Sequence, residues 1–174
     1  SIDQKGRYAF NNQPKIALWN LARFAETILH LIDKDQVLAI KKIENLLKSF
    51  EKKYHELWLE MMKNKLQINN HNENDEKLII ELLELMHVFK LDFTNTFMEI
   101  DNDQINKHDF MKNWHSKLKD RREINKKFNK SNNKYNPKII PRNHIVEKVL
   151  NESENGKYDN LYKFIENLND PYSN

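Results

Sequence analysis

The chain has 174 residues, about the length of one domain, and its 32% charged and 39% apolar residues are typical of a globular protein. It contains no cysteine, which excludes a disulfide framework, a thiolate nucleophile and a cysteine-based zinc site. With 29 basic against 26 acidic residues the net charge is only +3, and two glycines and four prolines favour long helices over a many-stranded sheet.

The first predicted helix runs from Pro14 to about Ile32, with Pro14 suited to its first turn. Its polar residues fall on one narrow strip, and almost every other position is apolar. A helix that is apolar nearly all round is buried on most sides. We therefore predict that this helix forms the centre of the fold and that Trp19 lies in its core.

Residues 36–67 form a second helical region, because their apolar side chains recur at spacings of three and four. These side chains are Ile40, Ile43, Leu47, Phe50, Tyr54, Leu57 and Met61. The pattern fits one long helix or two helices with a kink near Ser49. Three heptads would suffice for a coiled coil, but packing on the first helix is favoured.

A polar loop at 69–74 precedes five further amphipathic segments, each typical of a helix with one apolar face. Their apolar residues are Leu78, Ile79, Leu82, Leu83, Met86 and Phe89; Phe93, Phe97 and Ile100; Phe110, Met111, Trp114 and Leu118; Ile145, Val146, Val149 and Leu150; and Leu161, Phe164, Ile165 and Leu168. No strand pattern competes with these helices. We predict an all-α fold of about seven helices, with residues 1–174 in a single helical domain.

Two stretches of the chain closely resemble motifs of the selenoprotein O family. The opening carries Ser1-Ile2-Asp3, Gly6-Arg7-Tyr8, Asn12-Gln13-Pro14 and Trp19-Asn20-Leu21-Ala22-Arg23. The second stretch carries Asn136-Pro137-Lys138, Arg142-Asn143-His144 and Pro171-Tyr172. Two matches in the family's order are far more specific than either alone. Pro141 departs from the family, which usually has an aliphatic residue at that position.

The resemblance implies a kinase-like adenylyltransferase that uses ATP and Mg²⁺ or Mn²⁺ to transfer AMP to Ser, Thr or Tyr hydroxyls of proteins. In the family the opening run follows the last metal-binding aspartate. Residues 1–13 would then be a lead-in similar to an activation segment, and residues 1–174 the helical C-terminal part of the kinase-like fold. Because the family's catalytic, nucleotide-binding and metal-binding residues precede this run, none is assigned to this chain.

Further expectations follow from the same resemblance. The chain by itself should bind no cofactor and transfer no AMP, and its partners should be the family's N-terminal kinase-like lobe and, through the whole enzyme, protein substrates. The start at Ser1 without methionine suggests a fragment. A fragment should expose an apolar surface, and self-association of the chain is therefore an expectation as well. A family member would reside in the bacterial cytoplasm, or in mitochondria if eukaryotic, and no membrane partner is expected.

Asp3, Arg7 and Tyr8 are the residues nearest to the active site that the resemblance implies. Two roles are open for this segment. Direct contact with ATP is one, and ion pairing by Asp3 and Arg7 that pins the segment onto the helical core is the other. We favour the ion pairing.

Metal-binding patterns in the sequence are weak. Asp101-Asn102-Asp103 resembles the start of a calcium-binding loop, but Ile105, Asn106 and Lys112 replace the ligand, the glycine and the acid that such a loop needs. A polar capping loop is predicted instead. No two of the seven histidines have the spacing of a helical zinc site.

A basic stretch at 117–134 supports an alternative function. It contains Lys117, Lys119, Arg121, Arg122, Lys126, Lys127, Lys130 and Lys134, with Phe128 and Tyr135 nearby. Cations interleaved with aromatic rings can bind a phosphate backbone and stack on bases, although the same composition describes a solvated helix end. A nucleic-acid binder is therefore one alternative to the enzyme, and a non-catalytic helical module that receives a partner helix is the other.

Overall fold

The structure is a computed structural model that describes residues 3–70, 72–123 and 135–172. These residues form eight α-helices and three short 3-10 helices, and none of them lies in a β-strand. The predicted all-α fold class is thereby confirmed. Two compact units divide the chain, a first unit of Ser1–Glu60 and a second unit of Met61–Asn174. Within the described ranges, every helix is too short or too polar to cross a membrane.

The first unit begins with a 3-10 turn at Phe10–Asn12 that leads into α1 (Gln13–Thr27). Helix α1 ends where the Thr27 hydroxyl donates to the carbonyl of Phe24, and the short helix α2 (Leu29–Ile32) follows. The predicted first helix is therefore interrupted at Ile28. Helix α3 (Gln36–Lys65) is continuous through Ser49, so the alternative of two helices does not apply.

The apolar side chains of α1 are not in a core. Trp19 is 49% exposed, Phe24 is 61% exposed, and no residue of α1 is buried. Among residues 3–60, Ala39 is the one that is fully buried. The prediction that the first helix is the centre of the fold with Trp19 inside is wrong. Hydrophobic periodicity shows which face of a helix is apolar, but it does not show that other residues of the same unit pack against that face.

The second unit contains the end of α3 and five more helices: α4 (Asp75–Val88), α5 (Phe93–Asp101), α6 (Lys112–Glu123), α7 (Asn143–Glu154) and α8 (Asp159–Asn169). Helix α5 starts where the carboxylate of Asp92 accepts the backbone N–H of Asn95 at 2.8 Å. Helix α7 starts two residues after Pro141, and α8 ends before Pro171. All five helices coincide with predicted segments.

The core of the protein lies in the second unit, where Trp114 is 1% exposed. The indole N–H of Trp114 on α6 donates to the carbonyl of Leu78 on α4 at 2.8 Å, which satisfies the polar atom of a buried ring. The other fully buried large apolar residues of this core are Met62, Leu66, Ile79, Leu82, Phe97, Ile100, Ile105, Met111 and Leu118. They come from the end of α3, from α4 to α6 and from the loop that joins α5 to α6.

Replacing Trp114 with Ala should lower the free energy of unfolding by roughly 3–5 kcal/mol, the usual cost of truncating a buried large aromatic side chain. Replacing Trp19 with Ala is the matched control, and it should cost roughly 1 kcal/mol because mainly a cation–π contact is lost. Urea unfolding followed by far-UV circular dichroism measures both. Equal losses would contradict the placement of the core in the second unit.

Candidate functional site

The opening residues fold into a turn that is held by their own side chains. We call residues 3–13 the opening turn. One carboxylate oxygen of Asp3 accepts the backbone N–H of Arg7 and the other accepts that of Tyr8, both at 2.8 Å. Gly6 has a φ of +65°, in the left-handed region that favours glycine. The first resemblance motif therefore contains both the acid and the glycine that this turn needs.

Side chains at the start of α1 close the opening turn. The amide of Asn12 donates to the carbonyl of Gly6 at 2.9 Å, and the amide of Gln13 donates to the carbonyl of Tyr8 at 2.7 Å. Two backbone carbonyls of the turn thus accept hydrogen bonds from side chains, since Asn and Gln amides carry N–H donors. The turn is consequently built from local contacts alone.

Arg7 connects the opening turn to α1. Its guanidinium carbon lies 4.7 Å from the centre of the Trp19 ring and 5.6 Å from that of Tyr8. The carboxylate of Asp3 is instead used by backbone N–H groups. The segment is thus attached to α1 by a cation–π contact of Arg7 on Trp19, and not by the predicted ion pairing of Asp3 and Arg7 with the helical core.

The second resemblance motif is built into the interior of the second unit through Asn136, which is 4% exposed. Its amide N–H₂ donates to the carbonyl of Lys65 at 2.8 Å and to the carboxylate of Asp101 at 2.9 Å. Its amide oxygen accepts the Lys65 ammonium at 3.1 Å. One side chain thereby ties the end of α3 to the end of α5. The residue types of the motif do not by themselves reveal this contact.

The carboxylate of Asp101 is the centre of this polar cluster. It also accepts the side-chain amide of Gln67 at 2.8 Å. Burial raises the pKa of Asp101 and outweighs the hydrogen bonds from Asn136 and Gln67. Burial also lowers the pKa values of Lys65 and Arg122, while the negative charge of Asp101 opposes that decrease. Asp101 is therefore held by amides and cations of its own unit.

Asp103 is engaged in the same way. Its carboxylate accepts the Lys119 ammonium at 3.0 Å and lies 3.0 Å from Nε2 of buried His115. Burial lowers the pKa of His115, with the nearby charge of Lys119 adding to the effect. Asp101 and Asp103, the two acids of the stretch that resembles a calcium-binding loop, are thus both in contact with other side chains. Asn102 caps the C-terminus of α5, so the segment is a polar capping loop, as predicted.

A buried ion pair joins Asp75 at the start of α4 to Arg121 on α6. Arg121 Nε donates to Asp75 Oδ1 at 2.6 Å, and its Nη2 donates to Oδ2 at 3.1 Å. The same Nη2 lies 2.9 Å from the carbonyl of Asn69 and 3.0 Å from that of Asn70. Burial raises the pKa of Asp75, but the hydrogen bonds and charge of Arg121 outweigh burial, and the pKa lies below its ordinary value.

These contacts decide the role of the described part of the basic stretch. Lys117 pairs with Glu81 at 2.7 Å, and Lys119 pairs with Asp103 at 3.0 Å. Arg121 binds Asp75, and Arg122 donates to the carbonyl of Leu66 at 2.9 Å. Four of the eight bases are thus committed to contacts within the second unit. The other four, and Phe128, lie outside the described residues: Lys126, Lys127, Lys130 and Lys134.

The second motif makes two further links within the second unit. Arg142 donates to both carboxylate oxygens of Asp92, at 2.7 and 2.9 Å. This bidentate contact lowers the pKa of Asp92 to about 2. The backbone N–H of Lys138 donates to the carbonyl of Pro171 at 2.7 Å, so the two parts of the motif meet.

The described residues offer no site that fits a metal ion. In residues 3–70, 72–123 and 135–172, no three of His, Asp and Glu stand close enough together to hold one. His108 is 3.0 Å from Glu99, which forms a pair without a third ligand. His71 lies outside the described residues.

Comparison with known proteins identifies close relatives. The family model described as Protein adenylyltransferase SelO matches residues 1–169. The proteins named Protein nucleotidyltransferase YdiU are 38% identical in Clostridium beijerinckii, 37% in Geobacillus kaustophilus and 41% in Clostridium botulinum strain 657. Each comparison covers 99% of this chain and 37%, 38% and 37% of the relative, respectively. The chain therefore spans little more than a third of the length of these relatives.

Replacing Asn136 with Ala should destabilise the second unit by about 1–3 kcal/mol, because the carboxylate of Asp101 and the carbonyl of Lys65 lose a buried hydrogen-bond donor. Urea unfolding followed by circular dichroism measures the change. Replacing exposed Asn151 with Ala is the control, and it should stay within about 0.5 kcal/mol of the parent. An Asn136 variant as stable as this control would show that the cluster does not support the fold.

Replacing Asp92 with Asn keeps a side-chain oxygen to cap α5 but removes the charge that Arg142 binds. Because the folded pKa lies below the unfolded one, the charge stabilises the fold above about pH 4, and this stabilisation is lost as the pH falls towards 2. The carboxylate is 39% exposed, so after solvent screening we expect a loss of at most about 1 kcal/mol at neutral pH.

Thermal unfolding measured from pH 7 down to pH 2 tests this pH dependence. The parent and the Asp92 variant should differ at neutral pH and converge at the acidic end. Replacing exposed Asp120 with Asn is the control for removing a carboxylate from the surface. A constant difference between the parent and the Asp92 variant across the whole pH range would contradict the ionic contribution.

Proposed function

The chain belongs to the protein adenylyltransferase SelO family, and from this membership we propose that it is the C-terminal helical part of an enzyme that transfers AMP from ATP to Ser, Thr or Tyr hydroxyls of proteins. The observation that carries this proposal is the family match over residues 1–169. The names of the relatives, which call them protein nucleotidyltransferases, support the reaction class. In the reaction, the protein hydroxyl oxygen attacks the α-phosphorus of ATP. The bond from that phosphorus to the oxygen bridging the α- and β-phosphates breaks, and pyrophosphate leaves.

We place the nucleotide, its Mg²⁺ or Mn²⁺ and the catalytic base in a part of the enzyme that this chain does not contain. AMP transfer needs carboxylates that are free to bind a metal ion and to accept a proton. The carboxylates of Asp75, Asp92 and Asp101 are held instead by arginine, lysine or amide side chains of the second unit. The described residues do not fit a metal ion, and we assign none of them to the chemical step.

The role we propose for the second unit is support. Its core and its two polar clusters fix four helices to one another, which makes it a rigid base for a catalytic lobe. The first unit has the complementary property, because Trp19, Phe24 and Leu31 all expose large apolar side chains. Exposed apolar residues in this number are typical of a surface that another part of a protein covers. We propose that the catalytic lobe covers them.

The proposed location is the bacterial cytoplasm. The reaction consumes ATP, which the cytoplasm supplies, and the relatives compared above are bacterial proteins. A eukaryotic member would act in mitochondria. Of the alternatives, the helical interaction module uses the same exposed apolar side chains of the first unit. The nucleic-acid binder receives less support, because four bases of its basic stretch are held within the second unit.

A complementation experiment tests the proposal. The part of the Clostridium beijerinckii relative that this chain does not match is produced separately and mixed with this chain, a protein substrate and ATP labelled at the α-phosphate. We expect no labelled protein with this chain alone and labelled protein with the mixture. A fusion of the two segments should label as well, which separates catalysis from docking. An inactive fusion, or labelling by this chain alone, would contradict the proposal.

The matched control replaces Phe24 with Asp, which places a charge on the exposed apolar surface of α1. This variant should lose co-elution with the catalytic segment and at least most of the labelling in the mixture, while its second unit unfolds as in the parent. Unchanged labelling by the Phe24 variant would contradict docking through α1 and leave the reaction class intact.

A further inference from the structure

The opening turn borders a hollow of about 590 Å³. Among the described residues, its lining includes Asp3, Gln4, Lys5, Arg7 and Tyr8. This volume lies in the range of pockets that take small molecules, roughly 300–1,000 Å³. The supporting role of the second unit and the docking role of α1 do not use this hollow. Its chemistry therefore decides what it could bind.

The charge at the hollow is positive. Lys5 and Arg7 line it, and neither forms an ion pair with any carboxylate of the described residues. Asp3 also lines it, but each of its carboxylate oxygens already accepts a backbone N–H. The one other arginine of this unit, Arg23, pairs with Glu26. Two cations are thus available to an anion, and the lining keeps a net charge of +1 after the negative charge of Asp3 is counted.

The guanidinium of Arg7 has contacts before any ligand binds. It lies near the rings of Trp19 and Tyr8, and the backbone N–H of Arg7 donates to Asp3. Contact with aromatic rings leaves the N–H donors of a guanidinium available to an oxyanion. Binding then costs less side-chain entropy than it would at a mobile surface arginine.

We propose that Lys5 and Arg7 bind the phosphoryl group of a small phosphorylated molecule in this hollow. A phosphoryl group carries up to two negative charges, so it attracts the two cations more strongly than a singly charged carboxylate does, and its oxygens fit the fork of an arginine. The hollow is also larger than a lone carboxylate needs. This site does not depend on AMP transfer.

Titration with inorganic pyrophosphate tests the site on the whole chain. Trp19 is half-exposed and in contact with Arg7, so its fluorescence should change as the ligand binds, and calorimetry should give the same dissociation constant. Replacing Arg7 with Gln should weaken binding roughly tenfold or more, since a charge-assisted hydrogen bond is lost. Replacing Lys5 with Gln should weaken it as well. Replacing Lys15 with Gln, which is outside the lining, should not.

Two further measurements locate the site and identify the ligand class. Replacing Trp19 with Phe keeps an aromatic ring under Arg7 and should abolish the fluorescence change while calorimetric binding persists. Inorganic phosphate and AMP should compete with pyrophosphate, whereas acetate at equal ionic strength should not. Tighter competition by AMP than by phosphate would identify a nucleotide as the source of the phosphoryl group, and the reverse order would identify a free phosphate.

Three outcomes would overturn the proposal. These are binding that is unchanged in the Arg7 variant, a fluorescence change that survives the replacement of Trp19, and equal competition by acetate. Circular dichroism spectra identical to the parent are required of each variant, which excludes unfolding as the cause of lost binding. If the Arg7 variant unfolds, replacing Arg7 with Lys keeps the charge, and it should retain part of the affinity.

Discussion

The carboxylate of Asp75 is buried in the second unit and that of Asp101 is half-buried, and each requires cations or amide donors that come from other elements. A buried charge whose partner is removed costs several kcal/mol, so the groups that compensate it cannot move independently. Arg121 on α6 must meet Asp75 at the start of α4, and Asn136 must reach Asp101 at the end of α5. The ends of the helices, the loop after α3 and the second resemblance motif are arranged around these contacts.

The two units use their apolar residues in opposite ways. In the second unit, large side chains such as Trp114 and Phe97 are fully buried, and the polar clusters lie beside them. In the first unit, Trp19 and Phe24 remain exposed, and order comes from short-range contacts such as those of Asp3 and Arg7. This contrast agrees with the roles proposed above for each unit and with a chain that spans little more than a third of the length of its relatives.

Sequence periodicity predicted the helices well, because the alternation of spacings depends only on neighbouring residues. Helices α4 to α8 appear where apolar residues recur, and Pro141 and Pro171 stand next to helix ends. The exposure of α1 could not be predicted in this way, since an apolar helix face does not show which residues, if any, pack against it. The partner of Arg7 was also missed. The charges of Asp3 and Arg7 suggested ion pairing with the helical core. Instead, the carboxylate of Asp3 accepts backbone N–H groups of the turn, and Arg7 lies over the ring of Trp19.

The amino-acid sequence by itself determined the helical class, most helix positions and the membership of the family, because all three depend on residue types in local order. Only the tertiary structure decided which polar side chains are partners. Asp75 and Arg121 are 46 positions apart in the sequence, and Asp101 and Asn136 are 35 apart. No local pattern encodes a contact over such a separation. The packing of the helices against one another decides which lysines of the basic stretch form ion pairs. It also decides which apolar residues remain exposed.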